Sequence, residues 1–137
     1  MKRNYTDAEM VEAFAGKTII KPENGYMLVM NSDTVSEPDM NAVCSRAVYM
    51  EICIIIRNSD FSSLRCPHLR ELKSCKPDVP AIKIVGNPIL SDVSIPETLL
   101  YRTGTKPFEI RGNPMLSSKS INALNKICPV CVIRRQP

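Results

Sequence analysis

The feature that most constrains this chain is a repeat. The segment Ile82-Lys83-Ile84-Val85-Gly86-Asn87-Pro88-Ile89-Leu90-Ser91 returns as Phe108-Glu109-Ile110-Arg111-Gly112-Asn113-Pro114-Met115-Leu116-Ser117, 26 residues further on. An earlier pair, Val29-Met30-Asn31-Ser32-Asp33 and Ile56-Arg57-Asn58-Ser59-Asp60, matches at an offset of 27, and Ile56 leads to Ile84 at 28. Four units at 26 to 28 residues are the signature of a stacked array, in which each unit buries its neighbour's apolar face.

The aligned columns carry physical meaning. Met27, Ile54, Ile82 and Phe108 form one apolar column; Val29, Ile56, Ile84 and Ile110 form another. Apolar residues at period two predict a short strand with one buried face in each unit. The following column reads Asn31, Asn58, Gly86, Gly112. Asn and Gly tolerate left-handed backbone, so each strand is expected to end in a turn with positive φ. Asp33, Asp60, Pro88 and Pro114 add turn chemistry two residues later. Copies this far apart cannot form hairpins with one another, so they should stack in parallel. The expected fold is a β-solenoid of about four rungs with short helices. Asn24-Gly25, between Thr18-Ile19-Ile20 and Tyr26-Met27-Leu28-Val29, predicts a hairpin leading into the first rung.

The ends read as caps. Thr6-Asp7-Ala8-Glu9 opens a short helix through Phe14. Ser117 or Ser118 caps a second helix with Ile121, Leu124 and Ile127 on one face, ended by Cys128-Pro129-Val130-Cys131. The division that follows is a tail and capping helix over 1–13, the repeat domain over 14–131 and a C-terminal tail over 132–137. Met1 to Asn4 and Val132 to Pro137 are expected to fray.

Composition narrows the function classes. Of the 137 residues 44% are hydrophobic and 23% charged, a globular balance that excludes a disordered chain. The longest apolar runs are five residues, against about 20 for a membrane-spanning helix, so no membrane span is expected. Net charge is +4, there is no Trp, and aromatic residues make up 5%. Neither a basic footprint nor a stacking platform is present, and no nucleic-acid partner is expected. No apolar stretch follows Met1-Lys2-Arg3 as a secretory signal would. Six cysteines nevertheless fit a disulfide framework in an oxidising compartment.

From Ile84 to Leu90 and from Ile110 to Leu116 the sequence resembles the receptor L domain, the ligand-binding module of insulin and epidermal growth factor receptors. Alternating apolar residues, then Gly-Asn-Pro, then Leu, carry the resemblance. The closing run through Cys128-Pro129-Val130-Cys131 is most similar to the kinase-less, receptor-like branch. The resemblance spans roughly Phe14 to Cys131. It implies a single right-handed β-helix of leucine-rich-repeat-like rungs, disulfide-bonded and extracellular, with the sheet surface as ligand face. It also allows a longer protein holding a second such domain.

The cysteines are all disulfide candidates: Cys44, Cys53, Cys66, Cys75, Cys128 and Cys131. Cys44 and Cys53 are nine apart, as are Cys66 and Cys75, a spacing that suits loops pinned between adjacent rungs. Their pairing stays open. A zinc alternative would use Cys66, His68, Cys128 and Cys131, but His68 is the only histidine and the ligand pairs lie far apart. No metal or other cofactor is expected. Nor is enzyme chemistry: Gly86-Asn87-Pro88 repeats as a turn and cradles no phosphate, and His68 reads as a surface loop residue. Asn4-Tyr5-Thr6 is the one glycosylation sequon.

The outward strand positions are the functional candidates: Leu28 and Met30, Ile55 and Arg57, Lys83 and Val85, Glu109 and Arg111. They make a strip of mixed apolar and basic side chains of the kind solenoids use for partners, with Glu109 placed to pair with Lys83 on the next strand. The expected function is a non-enzymatic, extracellular binding module for a secreted peptide or protein ligand. Two alternatives stand beside it: an intracellular leucine-rich-repeat-like scaffold with free thiols, and a truncated receptor-like gene product.

Overall fold

The computed structural model describes residues 5–102 and 106–137. The chain order is α1 (Asp7–Phe14), β1 (Ile19–Ile20), β2 (Met27–Met30), α2 (Glu37–Cys44), β3 (Tyr49–Glu51), β4 (Cys53–Arg57), β5 (Ser63–Arg65), β6 (Glu71–Lys73), β7 (Ile82–Val85), β8 (Asp92–Ser94), β9 (Leu100–Arg102), β10 (Phe108–Arg111), α3 (Ser118–Ile127) and β11 (Val132–Ile133). Among the described residues this is an α/β fold with parallel sheets and three short helices. One sheet has the order β1-β3-β6-β9, a second β11-β10-β7-β4-β2, and a third is the pair β5-β8.

The repeat is what sets the registers. Ile54, Ile82 and Phe108 align across β4, β7 and β10, as do Ile56, Ile84 and Ile110. All six are buried. Full burial of each such side chain contributes about 1.5–3 kcal/mol, so the two columns form the spine of the core. Alternate residues of the same strands face the other way. Leu64 of β5, Leu72 of β6 and Val93 of β8 close the interior from the remaining sheets. The offset of 28 between β4 and β7 has a local cause. A single residue, Ile52, links β3 to β4, whereas Ser74 to Ala81 link β6 to β7.

Two disulfides join successive units. Cys44–Cys66 and Cys53–Cys75 both span 22 residues, with Cα atoms 4.8 and 5.1 Å apart. That 22-residue step is also the register of β3 on β6, where Glu51 faces Lys73 two residues before Cys53 and Cys75. The repeated nine-residue spacing therefore reflects two parallel bridges of equal span. Each closes a loop worth about 3 kcal/mol in lost unfolded-state entropy. Cys128–Cys131 is a local bridge at the end of α3.

The helices cover sheet edges. Thr6 caps α1 in a reciprocal box with Glu9, and the Asp7 carboxylate accepts the Val29 N–H of edge strand β2 at 3.3 Å. Ser36 caps α2, with Pro38 in its first turn. In α2 the Asn41 side chain stands in for a neighbouring strand: its Oδ1 accepts the Arg65 N–H at 2.8 Å and its Nδ2 donates to the Ser63 carbonyl at 3.0 Å. At the far edge of the same sheet, Ser120 Oγ of α3 accepts the Val93 N–H at 3.0 Å.

Several expectations need correction. The Asn24-Gly25 turn has positive φ at both residues, but it does not make a hairpin. β1 pairs with β3 and β2 with β4, because the parallel neighbours one unit away claim both strands. The C-terminal tail, Val132 to Pro137, is ordered rather than frayed, while Met1 to Asn4 lie outside the described residues. β11 pairs with β10, Gln136 accepts the Gly112 N–H, and the Arg135 guanidinium donates to the Leu116 carbonyl and the Ser118 hydroxyl. The first unit is shifted by one residue: Leu28 faces Ile54 and Met30 faces Ile56. Leu28 and Met30, expected outward, are buried in the core, and Met27 is exposed instead. Asn58, Gly86 and Gly112 have positive φ as expected, while Asn31 does not. Its carboxamide oxygen accepts the N–H groups of Asp33 and Thr34 and makes the turn that way.

Candidate binding face on the five-stranded sheet

The outward side chains of the five-stranded sheet fall into rows set by the pairing. One row reads Val29, Ile55, Lys83, Glu109, Val132. The next holds Arg57, Val85 and Arg111, with Arg134 following Ile133 on the last strand. Neighbours in a row are about 4.8 Å apart. Period two delivers this arrangement: the residues between Ile54, Ile56 and their equivalents have no route to the core.

Glu109 is the electrostatic centre of the face. Its Oε2 lies 3.5 Å from Lys83 Nζ and 3.3 Å from Arg111 Nε. Lys83 reaches it across adjacent strands, as the sequence suggested. All three side chains are half-exposed, so the pairs hold geometry more than they add stability. Arg57 is exposed, and among the described residues no acid lies within ion-pair distance of it. Arg134 donates to the Pro137 carbonyl at 2.8 Å. The face thus holds four cations and one carboxylate, interleaved with aliphatic residues.

Of the outward candidates, Arg57, Lys83, Val85, Glu109 and Arg111 are brought together on this surface. Ile55 sits in their row yet is only 9% exposed and lies outside the core cluster, flanked by Val29 and Lys83. Leu28 and Met30 are not part of it. Arg134, Val132 and Val29 belong to the face and were not anticipated. Val132-Ile133 is β-branched, a weak strand signal in a run too short to show a period.

Elsewhere, His68 is exposed on a groove of about 560 Å³ between Thr18, Arg46, Pro67, Arg70 and Pro96. Cys66, Cys128 and Cys131, the sulfurs of the zinc alternative, are all in disulfides. Asn4 lies outside the described residues. The chain matches no protein-family model and no curated protein. No helix among the described residues is long and apolar enough to cross a membrane.

Proposed function

We propose that the chain is a non-enzymatic extracellular module that binds a protein or peptide, built as a right-handed parallel β-helix and resembling a receptor L domain. The supporting observation is the outer face of the five-stranded sheet: a rigid surface with Arg57, Lys83, Val85, Glu109 and Arg111 in adjacent rows. Arg beside aliphatic area is the mix found in binding hot spots, and a preformed sheet loses little freedom on association. The solenoid reading rests on the order in which the chain visits its layers. Each of four passages runs through the four-stranded sheet, then the five-stranded sheet, then β5, β8 or a helix. The extracellular reading rests on three disulfides that take up all six cysteines.

The test is an avid, multivalent form of the chain screened against an array of secreted and cell-surface proteins. A hit should protect β4, β7 and β10 from hydrogen exchange. A footprint confined to the groove around His68, or no hit, removes this reading. Intact mass after thiol alkylation without reductant addresses the compartment: an unchanged mass agrees with an oxidised extracellular protein. Six alkylated thiols in protein taken from its native source would favour an intracellular scaffold.

A further inference from the structure

Resting on that binding-face reading, we infer that the partner of this face is an acidic protein segment, one that sets carboxylates on Arg57 and Arg111 and an apolar side chain on Val85 between them. The charge balance of the face carries the inference. Arg57, Lys83 and Arg111 stand against Glu109 alone, which Lys83 and Arg111 already share, while Arg134 is engaged by the Pro137 carbonyl. Arg57 has no acid beside it among the described residues. Arg111 engages Glu109 through Nε, which leaves the outer fork of its guanidinium for a second carboxylate. On the other two sheets the strand cations are matched: Lys73 pairs with Glu51, Arg102 with Glu71 and Arg65 with Asp92.

The spacing defines the ligand further. Arg57 and Arg111 lie two strands apart, so their backbones are separated by about 10 Å, with Val85 midway in the same row. A segment carrying two carboxylates at that separation, with an aliphatic or aromatic residue between them, meets charge with charge and apolar with apolar. A sulfated polysaccharide or a nucleic acid fits less well. Val29, Ile55, Val85 and Val132 interrupt the cations, and a polyanion has nothing to place on them.

The experiment is selection from a phage-displayed library of random dodecapeptides on the immobilised, disulfide-intact chain. Enriched peptides are expected to carry at least two Asp or Glu residues flanking an apolar one. Their affinity should fall at least about tenfold with Arg57→Glu plus Arg111→Glu, fall with rising salt, and be unchanged by Arg46→Glu on the distant groove. Melting curves check that the double variant folds; if it does not, Arg57→Gln plus Arg111→Gln takes its place. Neutral or basic peptides whose exchange footprint lies on β4, β7 and β10 would overturn the acidic partner but keep the binding face. So would heparin binding through the same arginines in place of the peptides. No enrichment, or a footprint elsewhere, overturns both.

Discussion

Asn113 Oδ1 accepts two hydrogen bonds from Asn87, one from its backbone N–H and one from its side-chain amide, each at 3.0 Å. Both asparagines are fully buried. Asn113 Nδ2 donates to the carbonyls of Ile84 and Arg111. Asn87 repeats the pattern one unit earlier: its Nδ2 reaches the Ile56 carbonyl at 3.3 Å and its Oδ1 accepts the backbone N–H and the hydroxyl of Ser59. The side chains satisfy backbone groups at the corner where the five-stranded sheet ends, and buried backbone groups must be satisfied somewhere.

Removing either amide leaves buried polar groups unpaired. Asn87→Ala and Asn113→Ala should each destabilise the fold by about 1–3 kcal/mol. Because the two share bonds, the double variant should lose less than the sum of the single losses. Urea unfolding of the three variants measures this; strictly additive values would mean that the pair does not act as one network.

The left-handed corner gives a second prediction. Gly86 and Gly112 both have φ of +69°. A Cβ on Gly112 would lie 3.2 Å from the Gly86 nitrogen, and one on Gly86 would lie 2.8 Å from Asn58 Oδ1. Gly86→Val and Gly112→Val should each cost more than about 1 kcal/mol. Asn58 already has φ of 50°, so Asn58→Gly should change stability by no more than about 0.5 kcal/mol. In that background Gly86→Ala should cost less than it does alone, since the clashing oxygen is gone. Thermal melts of these five variants beside the parent decide it.

Two tyrosines predict an alkaline limit to stability. Burial raises the Tyr26 pKa, with help from the Asp7 carboxylate that accepts its hydroxyl at 3.2 Å. The hydrogen bond to Glu51 at 2.7 Å raises that of Tyr49. A raised pKa means that the folded state holds the phenolic proton more tightly than the unfolded chain. The contribution is therefore complete below the unfolded value of about 10 and is lost as pH rises through the folded one. Melting temperature should decline above about pH 10, and Tyr26→Phe should flatten that decline. An unchanged slope in the variant would remove Tyr26 as a cause.

What the sequence shows and what it hides follow from the strength of each local signal. Ile82-Lys83-Ile84 and Phe108-Glu109-Ile110-Arg111 alternate cleanly, so their inward and outward sets are legible, and with them most of the candidate face. Met27-Leu28-Val29-Met30 is apolar throughout, and period two has no phase in such a run. By residue identity Val29 aligns with Ile56, whereas the strand pairing sets Met30 opposite it. The four-stranded sheet was invisible because its strands have two or three residues. Helix α2 has a start signal in Ser36-Glu37-Pro38, but its apolar stripe is thin, with only Met40, Val43 and Cys44 buried. Asn87 and Asn113 looked like turn residues; only parallel stacking at this corner turns them into a buried ladder.

The shifted register of the first strand supplies the last prediction. Leu28 and Met30 are fully buried on the inner face of β2, while Met27 is 39% exposed on the outer face. A charge at Leu28 would have to enter the core unpaired, which no single contact there could compensate. Leu28→Glu should therefore abolish cooperative unfolding or lower the melting temperature severely. Met27→Glu should stay close to the parent, within about 0.5 kcal/mol. The letter-matched alignment, with Met27 and Val29 inward, predicts the opposite order for the same two substitutions. Circular dichroism melts of the pair separate the alternatives, and a Met27→Glu protein that fails to fold would return the first strand to the other register.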